Sequence, residues 1–64
     1  MCSARDKARL LQGLLTVLRD EVYTLRCNLN ENDDLNAMMT IAYAKNTMAR
    51  IHVTMDEIEH ILTD

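Results

Sequence analysis

The chain has 64 residues, of which 48% are apolar and 27% charged, so it has room for one small domain with a thin core. One glycine, no proline and only two aromatic residues exclude collagen-like and turn-rich all-β folds and leave helix as the expected structure. The net charge of −3 disfavours nucleic acid and anionic membranes as the main ligands, because proteins bind both through Lys and Arg.

The first predicted helix covers about residues 4–28. Its apolar residues recur at steps of three and four, which is the heptad pattern of helices that pack at a shallow angle. Ser3 is the expected N-cap, and Asp6 three residues later completes an approximate capping box. The predicted seam of this helix contains Ala4, Ala8, Leu11, Leu15, Leu18, Val22, Leu25 and Leu29.

A turn is predicted at about residues 29–33, because the segment 28–34 is rich in Asn and Asp, which favour turns and N-caps. The heptad phase also breaks there, since extending the first frame would place mostly polar residues on the seam. The second predicted helix covers about residues 34–62. Its predicted seam contains Ala37, Ile41, Ala44, Met48, Ile51, Met55, Ile58 and Leu62.

The charges at the two ends of the chain favour an antiparallel hairpin. Arg5, Lys7 and Arg9 crowd the start of the first helix, where each opposes the helix dipole. The end of the second helix is acidic and opposes its own dipole in the same way. Folding the chain back places residues whose numbers sum to about 63 opposite each other, so the basic and acidic ends become neighbours.

Two helices with one seam are marginal in water, so we expect two hairpins to dimerise into a four-helix bundle. The residues expected to form the oligomer core are Leu11, Leu15, Leu18, Val22, Ile41, Met48, Ile51 and Ile58. Further apolar stripes are expected to bind another protein, in part through adaptable methionines. The candidate partner surface contains Leu10, Leu14, Val17, Leu35, Met38, Met39 and Val53.

No residue pattern predicts catalysis, a cofactor or a metal. His52 and His60 are about 12 Å apart on a helix and cannot share an ion. Glu57 and His60 resemble one half of a carboxylate-bridged bundle site, but a single copy is better explained as part of a solvated charge cluster. Cys2 and Cys27 lie too far apart on one helix for a disulfide, so we expect two free thiols, with a redox role between subunits as an alternative.

These patterns predict a non-enzymatic interaction module that acts as a regulator, inhibitor or adaptor. A co-chaperone or subunit of a hetero-oligomeric helical complex is one alternative, and an RNA-binding hairpin dimer is another. The length, acidity and two-helix layout are similar to those of plasmid copy-number regulators, antikinases, co-chaperones of secretion-system subunits and phage-encoded inhibitors. The sequence has neither a secretory leader pattern nor an apolar run of membrane-spanning length, so a cytoplasmic location is expected.

Overall fold

The computed structural model describes residues 3–64 and contains two long helices, α1 over Ala4–Asn30 and α2 over Asp34–Thr63. They pack side by side in a rod whose backbone measures 48 × 15 × 14 Å. Lys7 near the start of α1 contacts Glu57 near the end of α2, so the helices are antiparallel. The predicted all-α helical hairpin is therefore confirmed. Within residues 3–64, neither helix contains a stretch long and apolar enough to cross a bilayer.

The start of α1 has the predicted capping box. The backbone N–H of Asp6 donates to Ser3 Oγ at 3.2 Å, and the Ser3 N–H donates to Asp6 Oδ2 at 3.5 Å. The two bonds satisfy donors that a helix otherwise leaves free at its N-terminus. The Asp6 carboxylate also lies in the first turn, where its charge favours the helix dipole.

The turn is shorter than predicted, because α1 continues to Asn30. Asn32 is the one non-glycine residue with positive φ in the described chain, at 57°. Its N–H donates to the carbonyl of Leu29 at 3.1 Å, and the next N–H, that of Asp33, donates to Asn28 at 2.9 Å. This pair of bonds is a Schellman motif with Asn in the place of the usual Gly. Asp33 then caps α2 by accepting from the Asn36 N–H at 3.3 Å.

The least exposed residues of both helices follow the heptad spacing of a two-helix coiled coil. Each heptad contributes two such residues, and we label the first a and the second, three residues later, d. On α1 these seam positions are Ala4, Lys7, Leu11, Leu14, Leu18, Glu21, Leu25 and Asn28. On α2 they are Ala37, Thr40, Ala44, Thr47, Ile51, Thr54, Ile58 and Ile61.

This seam differs from the predicted one by a rotation of both helices. The a positions are as predicted, but each d position falls one residue earlier than the predicted apolar residue, at 7 instead of 8 and at 40 instead of 41. One residue turns an α-helix by about 100°. Because only one of the two seam positions shifts, the midpoint between them turns by half of that, about 50°, on each helix. Leu15, Val22, Ile41 and Met48, which were expected to pair across the hairpin, therefore lie outside its seam.

Threonine hydroxyls make the polar seam of α2 possible. Thr40, Thr47 and Thr54 are buried, and each Oγ1 donates to the carbonyl four residues earlier in its own helix, at 2.8–3.2 Å. Because each hydroxyl donates to its own helix, the threonines can be buried against α1 without leaving an unpaired donor. Asn28 adds the one described side-chain hydrogen bond that joins the helices near the turn, from its Nδ2 to Thr40 Oγ1 at 2.9 Å.

Candidate interaction surface

The hairpin buries small residues and exposes large ones. Within residues 3–64, the buried apolar residues are Leu14, Ala37, Ala44 and Ile51, and two of these are alanines. By contrast, Leu15, Val22 and Met48 are about half exposed, as are most of the other large apolar side chains. Burial of apolar surface is the main force that stabilises a folded chain, and here a large part of that surface still faces water.

One side of the hairpin, which we call the broad face, is formed by apolar residues alone. Its members occupy heptad position e, the residue directly after each d position. In an antiparallel pair the e positions of both helices flank the seam on the same side. All eight e positions are apolar. The broad face contains Ala8, Leu15, Val22 and Leu29 of α1 and Ile41, Met48, Met55 and Leu62 of α2.

The apolar residues of each helix do not point straight at the other helix of the hairpin. On both helices the a and e positions are the apolar pair, and their common centre points about 50° away from the neighbouring helix, toward the broad face. In a square bundle of four helices, the centre lies at 45° from the direction of each neighbour. In a bundle of three helices the corresponding angle is 30°. The observed angle of about 50° is thus closer to that of a four-helix arrangement than to that of a three-helix one.

The outer side of α2 carries a second apolar surface, which we call the outer stripe. It points away from α1, and its larger members Leu35, Met39 and Val53 are 74%, 47% and 56% exposed. A shallow depression at its edge is lined by Ala49, Arg50, Val53, Thr54 and Glu57. The full outer stripe contains Leu35, Met39, Ala42, Asn46, Ala49 and Val53. A helix that is apolar on several sides is typical of the interior of an assembly.

The side opposite the broad face is mixed in character. A shallow groove there is lined by both helices, with Val17 and Thr24 of α1 facing Tyr43 of α2. Glu21 also lines this groove from the seam, and its Oε1 is buried with no hydrogen-bond partner in the described structure. The apolar heptad pattern of the sequence gives no sign of Glu21, because a carboxylate at a seam position does not fit such a pattern.

The predicted site residues lie in four parts of the hairpin: the seam, the broad face, the groove side and the outer stripe. Of the expected oligomer core, Leu11, Leu18, Ile51 and Ile58 lie in the seam between the helices, and the other four lie on the broad face. Of the expected partner surface, Leu14 lies elsewhere, because it is buried in the seam at 6% exposure. The remaining residues are exposed. Leu10 and Val17 lie on the groove side, and the others lie on or beside the outer stripe, namely Leu35, Met38, Met39 and Val53.

The ionisable side chains form pairs rather than clusters. His52 Nε2 lies 3.4 Å from Asp56 Oδ2, and His60 Nε2 lies 3.9 Å from Asp64 Oδ2, each pair on an exposed turn of α2. Over residues 3–64, no three His, Cys, Asp or Glu side chains converge as metal ligands would. Cys27 is a half-buried free thiol, and Cys2 lies outside the described residues.

In comparisons with known proteins, no family model, curated protein or solved structure matches this chain.

Proposed function

We propose that this chain is a non-enzymatic interaction module that dimerises through its broad face and then binds another protein through the apolar surface left outside. The observation that supports dimerisation is the eight-residue apolar broad face, with the apolar columns of both helices directed toward it. A second copy supplies two further helices with the same geometry. The two hairpins together complete a four-helix bundle, with the a and e columns at its centre.

The size of the broad face fits this proposal. The rod is 48 Å long and 15 Å wide, so one side has a footprint of about 700 Å², close to the ~800 Å² that each partner buries in a stable interface. Its seven large residues are mostly about half exposed, and each has about 1 kcal/mol of burial energy left to gain. That is about 14 kcal/mol per dimer, against an association cost of about 4–15 kcal/mol. We therefore expect a reversible dimer.

The rim of the broad face gives the dimer a specific salt dependence. Its charged border residues are Arg5, Arg19 and Arg26 on α1, and Lys45 and Glu59 on α2. Where the arginine-lined rims of the two α1 helices come close together in a dimer, repulsion between exposed charges costs up to about 1 kcal/mol per pair. Because salt screens this repulsion and leaves apolar burial in place, we expect dimerisation to strengthen as the ionic strength rises.

A pair of neighbouring substitutions tests the broad face. Leu15→Lys places a charge within it, whereas Thr16→Lys places the same charge on the exposed outer side of α1. The first change occurs twice per dimer and should cost about 3 kcal/mol in all, which weakens dimerisation about 100-fold. Sedimentation equilibrium of the unchanged chain should approach about 15 kDa, twice the 7.4 kDa of one chain.

The Thr16→Lys variant is the control for this test, and two results would contradict the proposed dimer interface. Thr16→Lys should keep the dissociation constant of the unchanged chain, because residue 16 lies away from the interface. A well-folded chain that stays at 7.4 kDa up to high concentration would refute the proposed dimer. Equal weakening by both lysines would place the interface on another side of the hairpin.

A further inference from the structure

We propose that the outer stripe of α2 binds an amphipathic helix of another protein, one whose own apolar stripe is flanked by carboxylates. This inference deepens the proposed function and rests on it, because it names the class of partner that the dimer binds. The outer stripe points away from both the seam and the broad face. It therefore remains accessible when a second copy covers the broad face.

The first supporting observation is the charge around the outer stripe. All ten acidic residues of the chain lie outside residues 35–55, although the chain as a whole carries a net charge of −3. Within that segment the charged residues are Lys45 and Arg50. They lie on opposite flanks of the stripe, one residue after and one residue before a seam position. A partner helix that lies along the stripe thus meets a cation on each side, and the one acid beside its Val53 end that lines the depression, Glu57, is already paired with Lys7.

These two cations are free to pair with a partner. In the described part of the chain, the contacts within 4.0 Å between basic and acidic side chains are Lys7–Glu57 and the two His–Asp contacts near the end of α2, and neither Lys45 nor Arg50 belongs to one. Unpaired cations beside an apolar stripe favour a partner with carboxylates at the matching positions. Such pairs contribute more to the choice of partner and its orientation than to raw affinity.

The second observation is the shape of the outer stripe. Its middle consists of small side chains, Ala42, Asn46 and Ala49, and its ends carry Leu35 and Val53. Small central residues allow a second helix to approach closely, and the depression beside Ala49 and Val53 can accept a large side chain. The stripe extends over the 19 residues from Leu35 to Val53, or about 27 Å, so a partner helix of similar length covers it.

A pair of peptides tests the chemistry of the partner. The first is an 18-residue helical peptide with leucines at heptad spacing and glutamates on both flanks, and the second has lysines in place of the glutamates. Binding to the full chain is followed by fluorescence anisotropy of the labelled peptide. We expect the glutamate peptide to bind about tenfold more tightly than the lysine peptide, with the difference shrinking as salt is added.

Two charge reversals locate the binding site. Arg50→Glu should weaken binding of the glutamate peptide about fivefold. Arg9→Glu makes the same change of charge on the exposed outer side of α1 and should leave binding unchanged. Equal binding of both peptides, or equal effects of both reversals, would overturn the inference.

Sedimentation of the mixture separates this inference from the proposed dimer. A complex of two chains with bound peptide supports both. A single chain that binds the glutamate peptide in an Arg50-dependent way refutes the dimer and supports the charge preference of the outer stripe. A peptide that splits the dimer into single chains overturns the inference, because it would then occupy the broad face.

Discussion

Two chemically identical substitutions in the seam should have different effects, because the two threonines have different partners. Thr47 Oγ1 bonds only to the carbonyl of Tyr43 in its own helix, at 3.2 Å. Thr40 Oγ1 bonds in the same way to Asn36 and also accepts from Asn28 Nδ2 of the other helix at 2.9 Å. Both residues are buried, at 6% and 8% exposure. We therefore compare Thr47→Val with Thr40→Val.

The expected change in the free energy of unfolding depends on which hydrogen-bond partners lose the threonine hydroxyl. Thr47→Val removes a hydroxyl whose acceptor carbonyl belongs to the helix, and it adds a buried methyl group worth up to about 0.8 kcal/mol. Thr and Val have similar helix propensities, so we expect a change between zero and about 1 kcal/mol in favour of folding. Thr40→Val leaves the half-buried Asn28 amide without its partner, which costs about 1–2 kcal/mol.

Urea unfolding followed by circular dichroism measures both changes. All variants must be compared at one chain concentration, because a self-associating chain is stabilised by mass action. A double variant provides the control: Asn28→Leu combined with Thr40→Val removes both polar partners and should recover most of the lost stability. If the two single valine variants differ by less than about 0.3 kcal/mol, the hydrogen bond between Asn28 and Thr40 makes no net contribution.

Two further substitutions test the turn and the seam by the same urea unfolding measurement. Asn32→Ala should lower the free energy of unfolding by about 1 kcal/mol, because alanine tolerates positive φ less well than asparagine, whereas Asn32→Gly should leave it unchanged or slightly higher. An equal loss in both would mean that the conformation of this residue is not the cause. Glu21→Leu should raise the free energy of unfolding by about 1–2 kcal/mol, because it removes a buried carboxylate oxygen that has no partner. A lower stability would show that the carboxylate is stabilising in solution.

The features that the sequence predicts correctly are those with local causes. Ser3 and Asp6 form their capping box within four residues, and the Asn- and Asp-rich segment ends one helix and starts the next. The antiparallel arrangement follows from the charge of the two ends. Lys7 meets Glu57, and these numbers sum to 64, close to the predicted 63. The caps depend on a few neighbouring residues and the pairing of the ends depends on net charge, so neither requires knowledge of side-chain packing.

The orientation of the seam could not be predicted in the same way, because it depends on residues that a search for apolar positions excludes. Lys7, Glu21 and Asn28 occupy three of the four d positions of α1. On α2 the corresponding column is mainly threonine. A threonine that bonds its own helix packs almost as an apolar residue, but its sequence letter does not show that bond. The recurrence of Thr40, Thr47 and Thr54 every seven residues is the signal that could have shown this column.

The difference between the predicted and observed seams has a physical explanation if the broad face is an interface. The apolar periodicity of a helix points toward the average direction of everything that covers it, not toward one neighbour. In the hairpin alone that neighbour is the other helix, and small seam residues such as Ala44 and Thr47 suit its close approach. In the proposed four-helix bundle the average direction is the bundle centre, which lies about 45° away. The columns predicted from the sequence would then describe the assembled bundle, and the 50° rotation would be the angle between one hairpin's seam and the core of two.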